Sequence, residues 1–366
     1  MPDPAPQQPG LTDAQLSEGP SETTGPRLDH CAEQRRLRTR ETIEDVAIVV
    51  EGQETVIRLH RYRSVPGSGS ARSRPRMLLI HGFRGDHHGM LRLASHLEEM
   101  DLVVPDLPGF GASSPLSVRH TMSAYAAVVE AIAAAEGFGD QDLLMGHSFG
   151  SLVVAHHAAT RRRQWGAVLL ICPISEEMFT RHEMLTRHTP EEQRTGSPGN
   201  LQLTGAALHP PRISRLLPGA LLTEAYYRLC ERAPEPLGLA LLRSRLALAV
   251  TNLTMITSKQ PEMRAYVREQ HRRYFGGFAD RRTVLEAYYA SSRHSVTEVA
   301  GQIDAPVLLI TGTRDPLSTP RGLADLQSAL RHSQTQTLRG VGHLIHYEAP
   351  AAAARAIRRF LHQRPH

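Results

Sequence analysis

Lysine is nearly missing from this chain: Lys259 is the single one among 42 basic residues. The bias speaks of genomic base composition rather than of function. Cysteine is scarce as well. Cys31, Cys172 and Cys230 are odd in number, far apart and free of any CxxC spacing. Neither a disulfide framework nor a cysteine-based zinc site is therefore expected. The N-terminus, "MPDPAPQQPGLTDAQLSEGPSETTGP", has no basic leader and no apolar stretch, so no secretory signal is expected and the chain reads as intracellular and cytoplasmic. Its low apolar content points to a disordered tail over residues 1–40, with too little surface to bury against the entropy of ordering.

Long hydrophobic runs are absent too. The nearest, "PLGLALLRSRLALAVTNLTMI" at 236–256, is interrupted by Arg243 and Arg245 and falls short of a spanning segment of about 20 apolar residues. No membrane span is expected. The arginine clusters "RRLRTR" at 35–40 and "TRRRQW" at 160–165 lack interleaved aromatics or a nucleic-acid motif, so they read as solvated surface. A nucleic-acid partner is not expected. What remains is an ordinary globular composition, 40% apolar and 22% charged, with a mild excess of +5 over 366 residues. That length suits one α/β domain carrying a sizeable insertion.

The chain's order of patterns supports this. "TIEDVAIVVEG" and "ETVIRLHRYRS" are β-branched stretches around a glycine, which predicts a hairpin at a sheet edge. Four short apolar runs follow: "MLLIHG" (77–82), "DLVVPD" (101–106), "DLLMGHS" (142–148) and "AVLLICPI" (167–174). They suit strands buried on both faces. Helical patterns separate them: "MLRLASHLEEM", "TMSAYAAVVEAIAAAEGF" and "SLVVAHHAATRRR". Strand and helix in alternation predict a mostly parallel, doubly wound sheet.

The alternation pauses after the sixth strand and resumes at "PVLLITG" (306–312). The core is thus expected over 41–175 and 304–366, with a helical cap over 176–303. In that cap Leu239, Leu242, Leu246, Val250 and Leu253 recur at helical spacing. They read most simply as core, with an acyl-binding wall as the alternative.

Chemistry concentrates in "LLMGHSFGSLV" (143–153). Gly146, Ser148 and Gly150 satisfy Gly-x-Ser-x-Gly between a strand pattern and a helix pattern. A serine on so tight a turn takes strained dihedrals, and side chains two residues to either side would strike neighbouring backbone; glycine at both positions avoids that. The turn also sets Ser148 at a helix N-terminus, where the Phe149 amide can meet an oxyanion. The bland alternative is an N-capping serine.

A hydroxyl nucleophile needs a base and a group to orient it. "TRDP" sets Asp315 beyond one late strand, and "GVGH" sets His343 beyond the next. His346 competes as base, and Glu176 and Glu177, after the sixth strand, compete as acid; Asp304 lies at the wrong end of its strand. The order Ser148, Asp315, His343 resembles that of the α/β-hydrolase superfamily.

The resemblance covers roughly 75–175 and 303–362. "HGFRG" (81–85) looks like the family's His-Gly segment, with Gly82 ahead of an oxyanion-donating amide, here that of Phe83. "DLPGFGASS" (106–114) looks like its Asp-x-Pro-Gly-x-Gly-x-Ser loop. Serine in place of an aspartate nucleophile sets the chain apart from epoxide hydrolases and haloalkane dehalogenases. Ser151 stands where many relatives carry glycine, which implies looser helix packing.

The resemblance implies a cofactor-free esterase- or lipase-like serine hydrolase acting on a small acyl substrate. Two alternatives remain: a carbon-carbon bond hydrolase of a β-diketone-like compound, and a non-catalytic ligand-binding member of the fold. Asp106 is expected to shape its own loop. Arg84 reads either as exposed or as binding an acidic substrate group. The pair His87 and His88 invites a metal, but adjacent side chains diverge and no ligand pattern completes a site, so none is expected. Oligomeric state is not legible.

Overall fold

A computed structural model of the chain describes residues 16–17, 30–65, 76–161, 163–177 and 217–363. Most of the expected tail and the first part of the expected cap, residues 178–216, lie outside the described residues.

Within the expected tail, His30–Arg38 form helix α1. Leu37 is buried, and the Gln34 side-chain amide meets the Tyr266 hydroxyl at 2.5 Å. The expected tail therefore includes a helix, because this short segment has an apolar anchor that the surrounding polar sequence hides.

Strand β1 (Glu41–Val50) turns at Glu51 and Gly52 into β2 (Gln53–Tyr62). Both turn residues have positive φ, 50° and 78°, the geometry of a type I′ hairpin turn. The pair runs in register from Glu41 opposite Tyr62 to Val50 opposite Gln53. As expected, it forms one edge of the sheet.

The buried strands follow: β3 (Arg76–Ile80), then the one-turn helix α2 (Leu91–Ala94), β4 (Asp101–Pro105), α3 (Met122–Ala135), β5 (Leu143–His147), α4 (Phe149–Thr160) and β6 (Ala167–Ile171). Thr121 caps α3 by accepting from the Ala124 amide. Between β6 and β7 the described helices are α5 (Leu217–Arg232), α6 (Glu235–Leu242), α7 (Arg245–Met255), α8 (Pro261–Tyr274) and α9 (Arg281–Ser292). The chain closes with β7 (Val307–Gly312), α10 (Pro320–Ala329), β8 (Ser333–Leu338), α11 (Ile345–Glu348) and α12 (Pro350–His362).

The sheet runs β1-β2-β4-β3-β5-β6-β7-β8, with Leu16–Ser17 beside β8. All pairings from β4 onward are parallel, while β2 meets β4 antiparallel. Apolar side chains of β3, β5, β6 and β7 divide between two cores, one on each face of the sheet. This is why those strands read as unbroken apolar runs. The carboxyl ends of β5, β7 and β8 all open on the same edge, which is where the loops bearing Ser148, Asp315 and His343 begin.

Two helical expectations change. "LALLRSRLALAVTNL" is broken at Ser244, whose side chain accepts from the Ala247 amide and starts α7 afresh. The break redirects the apolar stripe. Leu242 is fully buried, but Leu246, Val250 and Leu253 are 76%, 51% and 80% exposed, so this part of the stripe is not core. No residue of α7 is buried.

Candidate active site

The elbow is built by steric necessity. Ser148 sits between β5 and α4 at φ 54° and ψ −118°, in the sparsely populated region that stores strain. A Cβ on Gly146 would run into the Gly150 carbonyl, and one on Gly150 into the carbonyl of Ile80 at the end of β3. Glycine is thus required because α4 starts against two strand ends. Ser151, expected to loosen this packing, does the opposite: it is fully buried, and its hydroxyl donates to the Ser148 carbonyl at 2.5 Å.

Ser148 Oγ lies 2.7 Å from His343 Nε2. On the other side of the ring, His343 Nδ1 lies 2.9 and 3.0 Å from Asp315 Oδ2 and Oδ1. With Nδ1–H given to the carboxylate, Nε2 is free to accept the serine proton. All three residues are at least nine-tenths buried, so their contacts act in a weakly screening medium. Burial pushes the Asp315 carboxyl up. The charge and hydrogen bond of His343, the Leu317 amide at 2.9 Å and the Cys172 thiol outweigh burial and hold it below the usual value. Asp315 is therefore ionised at neutral pH.

The rival groups are placed elsewhere. Glu176 accepts from the Thr319 hydroxyl at 2.8 Å and packs on Gly322, at the start of α10. His346 lies behind His147, ring centroids 4.0 Å apart, with its Nδ1 buried and unpartnered.

Gly82 brings the Phe83 loop onto the elbow: a Cβ there would stand 3.4 Å from Ser148 Cβ. His81 secures the loop, accepting from the Leu107 amide through Nε2 and meeting the Gly82 carbonyl through Nδ1, both at 2.8 Å. Phe149 opens α4, so its amide belongs to the first turn, where amides have no partner within the helix. Asp106 ties its own loop, accepting from the Ala112 and His87 amides at 2.9 and 2.8 Å, and its Oδ1 also meets His87 Nδ1. Thus His87 has a carboxylate partner that residue order did not suggest.

Several participants were missed in the sequence. Tyr227 of α5 and Tyr288 of α9 stack at 3.7 Å, and both rings lie within 6.4 Å of Phe83. The one available signal was a Tyr-Tyr pair in each helix. Arg84 is neither exposed nor idle. It is buried at positive φ, donates to the Leu242 carbonyl at 2.5 Å and lies over the rings of Phe275 and Phe278. The helices between β6 and β7 therefore reach the loop next to Phe83. Cys172, beyond β6 with φ 48°, is fully buried and touches Asp315.

A mostly parallel sheet with a serine elbow, an acid and a histidine at its carboxyl edge defines the class. The alpha/beta hydrolase fold family matches residues 75–350, and the chain belongs to it. Among known proteins it is similar to Lipase LipV of Mycobacterium tuberculosis, 39% identical over 120 residues, which is 32% of this chain and 42% of the relative. It is also similar to Monoacylglycerol lipase abhd6-B of Xenopus laevis, 23% identical over 301 residues, 80% of this chain and 77% of that one. The chain spans less than half the length of the first curated relatives it matches. A thermophilic esterase from Thermogutta terrifontis shares the fold, with a TM-score of 0.60 at 20% identity over 87% of this chain and 98% of that one. Among the described residues no helix is long and apolar enough to cross a membrane.

Proposed function

We propose that this chain is a serine hydrolase that cleaves a carboxylic ester or related acyl compound through an acyl-enzyme. The observation that carries the reading is the unbroken hydrogen-bonded line from Ser148 Oγ through His343 to Asp315, at 2.7 and 2.9 Å, beside a strained elbow. His343 Nε2 takes the Ser148 proton as Oγ attacks the carbonyl carbon. Asp315 holds the ring in the required tautomer and stabilises the imidazolium that forms. The amides of Phe83 and Phe149 receive the oxyanion, each contributing about 3 kcal/mol to the transition state. His343 then protonates the leaving alcohol, and water attacks the acyl-enzyme by the same route in reverse.

No step requires a cofactor. Similarity to lipases and an esterase supports the ester as substrate class. In this reading the helices between β6 and β7 cap the site, with Tyr227 and Tyr288 forming an aromatic wall beside Phe83.

Ser148→Ala tests the reading directly. The variant should lose on the order of 10⁴-fold or more in kcat on a short p-nitrophenyl ester, and should no longer be labelled by a fluorophosphonate; activity at the wild-type rate removes the nucleophile. Asp315→Asn should cost several orders of magnitude and Glu176→Gln little, and the reverse ranking would exchange the acid.

A further inference from the structure

We propose a zinc-binding site on the outer face of α4, formed by His156, His294 and Glu298 and separate from the reacting residues. The three side chains offer ligand atoms that all lie within 4.8 Å of one another. His294 Nδ1 is 2.6 Å and His156 Nε2 is 2.9 Å from the same oxygen, Glu298 Oε1. The two rings stand 5.2 Å apart at 79°.

One contact is not an ordinary hydrogen bond. His156 Nε2 is buried and has no directed partner, although the carboxylate oxygen is 2.9 Å away. A nitrogen so placed has its lone pair or proton near Oε1 but off the line joining them. A metal ion among the three atoms would use that lone pair. Zinc takes imidazole nitrogen at about 2.0–2.1 Å and carboxylate oxygen at about 2.0–2.2 Å, so each nitrogen needs to draw back from Oε1 by less than about 1 Å to admit it.

The chemistry of the donors selects the ion. Two imidazoles and one carboxylate suit a borderline divalent transition metal, whereas magnesium and calcium prefer an all-oxygen shell. The Glu298 carboxylate, flanked by the two imidazoles, supplies the anionic donor. The side chains of His294 and Glu298 are 37% and 27% exposed, which leaves an entry path and room for water as a fourth ligand.

The position argues for a clasp rather than a reaction centre. His156 is eight residues beyond Ser148, about 12 Å along the helix. His294 and Glu298 sit where the chain returns from α9 toward β7. That return is already pinned to the end of β6, by the Val296 amide on the Ile174 carbonyl at 2.8 Å and the Thr297 hydroxyl on the Ser175 carbonyl at 2.6 Å. Zinc there would lock the returning chain to α4.

The test is a zinc titration of the full chain after chelator treatment, read by calorimetry, with thermal unfolding in parallel. Wild type should bind one more equivalent at micromolar affinity than His294→Ala or Glu298→Gln. Its Tm should rise by a few degrees with zinc through this site, and each variant should weaken that binding at least tenfold. Both side chains are partly exposed, so the metal-free variants should unfold close to the metal-free parent. Cobalt provides a second readout in the parent alone, a visible d–d band that zinc displaces. Equal stoichiometry and affinity in parent and variants, or no cobalt band that depends on Glu298, overturns the proposal.

Discussion

His147, the residue immediately before the elbow serine, has its Nε2 2.9 Å from the backbone carbonyl of His343. Burial first, and the neighbouring His343 second, bring the His147 imidazole down to about 3, so it is neutral and donates Nε2–H to that carbonyl. The elbow therefore touches the base twice, once through Ser148 Oγ and once through the backbone behind the ring. Removing the donor leaves a buried carbonyl unpaired, a cost of about 1–3 kcal/mol, and frees the loop that aims Nε2.

His147→Ala should consequently lower kcat about tenfold or more while changing KM little, because His147 is buried and acts through the His343 backbone. His147→Gln, which can restore an N–H, should recover part of the loss. Steady-state kinetics on one ester decide this; a change confined to KM contradicts it.

Gly150 is set by its approach to Ile80. Since a Cβ would overlap the Ile80 carbonyl, and backbone at the heart of the sheet cannot move aside, Gly150→Ala should destabilise by more than about 3 kcal/mol or abolish soluble expression. Gly276→Ala is the control, because nothing lies within 4 Å of a Cβ there. Thermal unfolding of the two variants should differ widely.

The apolar stripe of α6 and α7 yields a paired prediction. Leu242 is fully buried, so Leu242→Ala should cost about 2–5 kcal/mol. Leu253, 80% exposed, should tolerate serine within about 0.5 kcal/mol. Denaturant midpoints of the two variants test whether the stripe is divided at Ser244.

What could be read in advance divides along the same lines. The strands β3, β5, β6 and β7 were legible because burial on both faces demands continuous apolar runs, and the β1–β2 turn because Gly52 follows a residue forced to positive φ. The elbow was legible because its glycines answer a local steric demand. The order of strands put Ser148, Asp315 and His343 at one edge together with the rivals Glu176 and His346, and the resemblance to the family's Ser-Asp-His order chose among them. Helix α7 was misread because spacing reveals an apolar stripe but not which side of it the fold covers. The short α2 ends at Ser95, whose side chain turns back to the Arg92 carbonyl at 2.8 Å, a competition invisible to periodicity. Glu176 stood at the correct end of β6, yet Thr319, 143 residues away, drew it to α10. Tyr227 against Tyr288 and His156 against Glu298 are likewise meetings of distant segments, with no local signature.

Acid should destabilise the fold before it reaches the carboxylate range. His120, His157 and His271 are brought down by burial to about 4, and His147 to about 3, from an ordinary 6.5. In the unfolded chain all four take up protons as pH falls below 6.5, while in the folded chain they stay neutral until near 4 or 3. The unfolded state thus binds more protons throughout that window, so stability falls as pH falls from about 6.5 to 4, and is flat with respect to these groups above 6.5. Each fully titrating group contributes up to about 1.4 kcal/mol per pH unit. His60 works the other way. Burial lowers its affinity for a proton, but Asp106 and Glu41 outweigh burial and raise it above 6.5, so its stabilisation is present in full below 6.5 and is lost as pH rises through its raised value. Burial lowers His81, His87 and His346 as well, and these seven groups against one leave a net loss on acidification. Urea unfolding should therefore show a midpoint that drops steeply from pH 7 to pH 5, and a midpoint that holds or rises over that interval would contradict the neutral, buried state of these histidines.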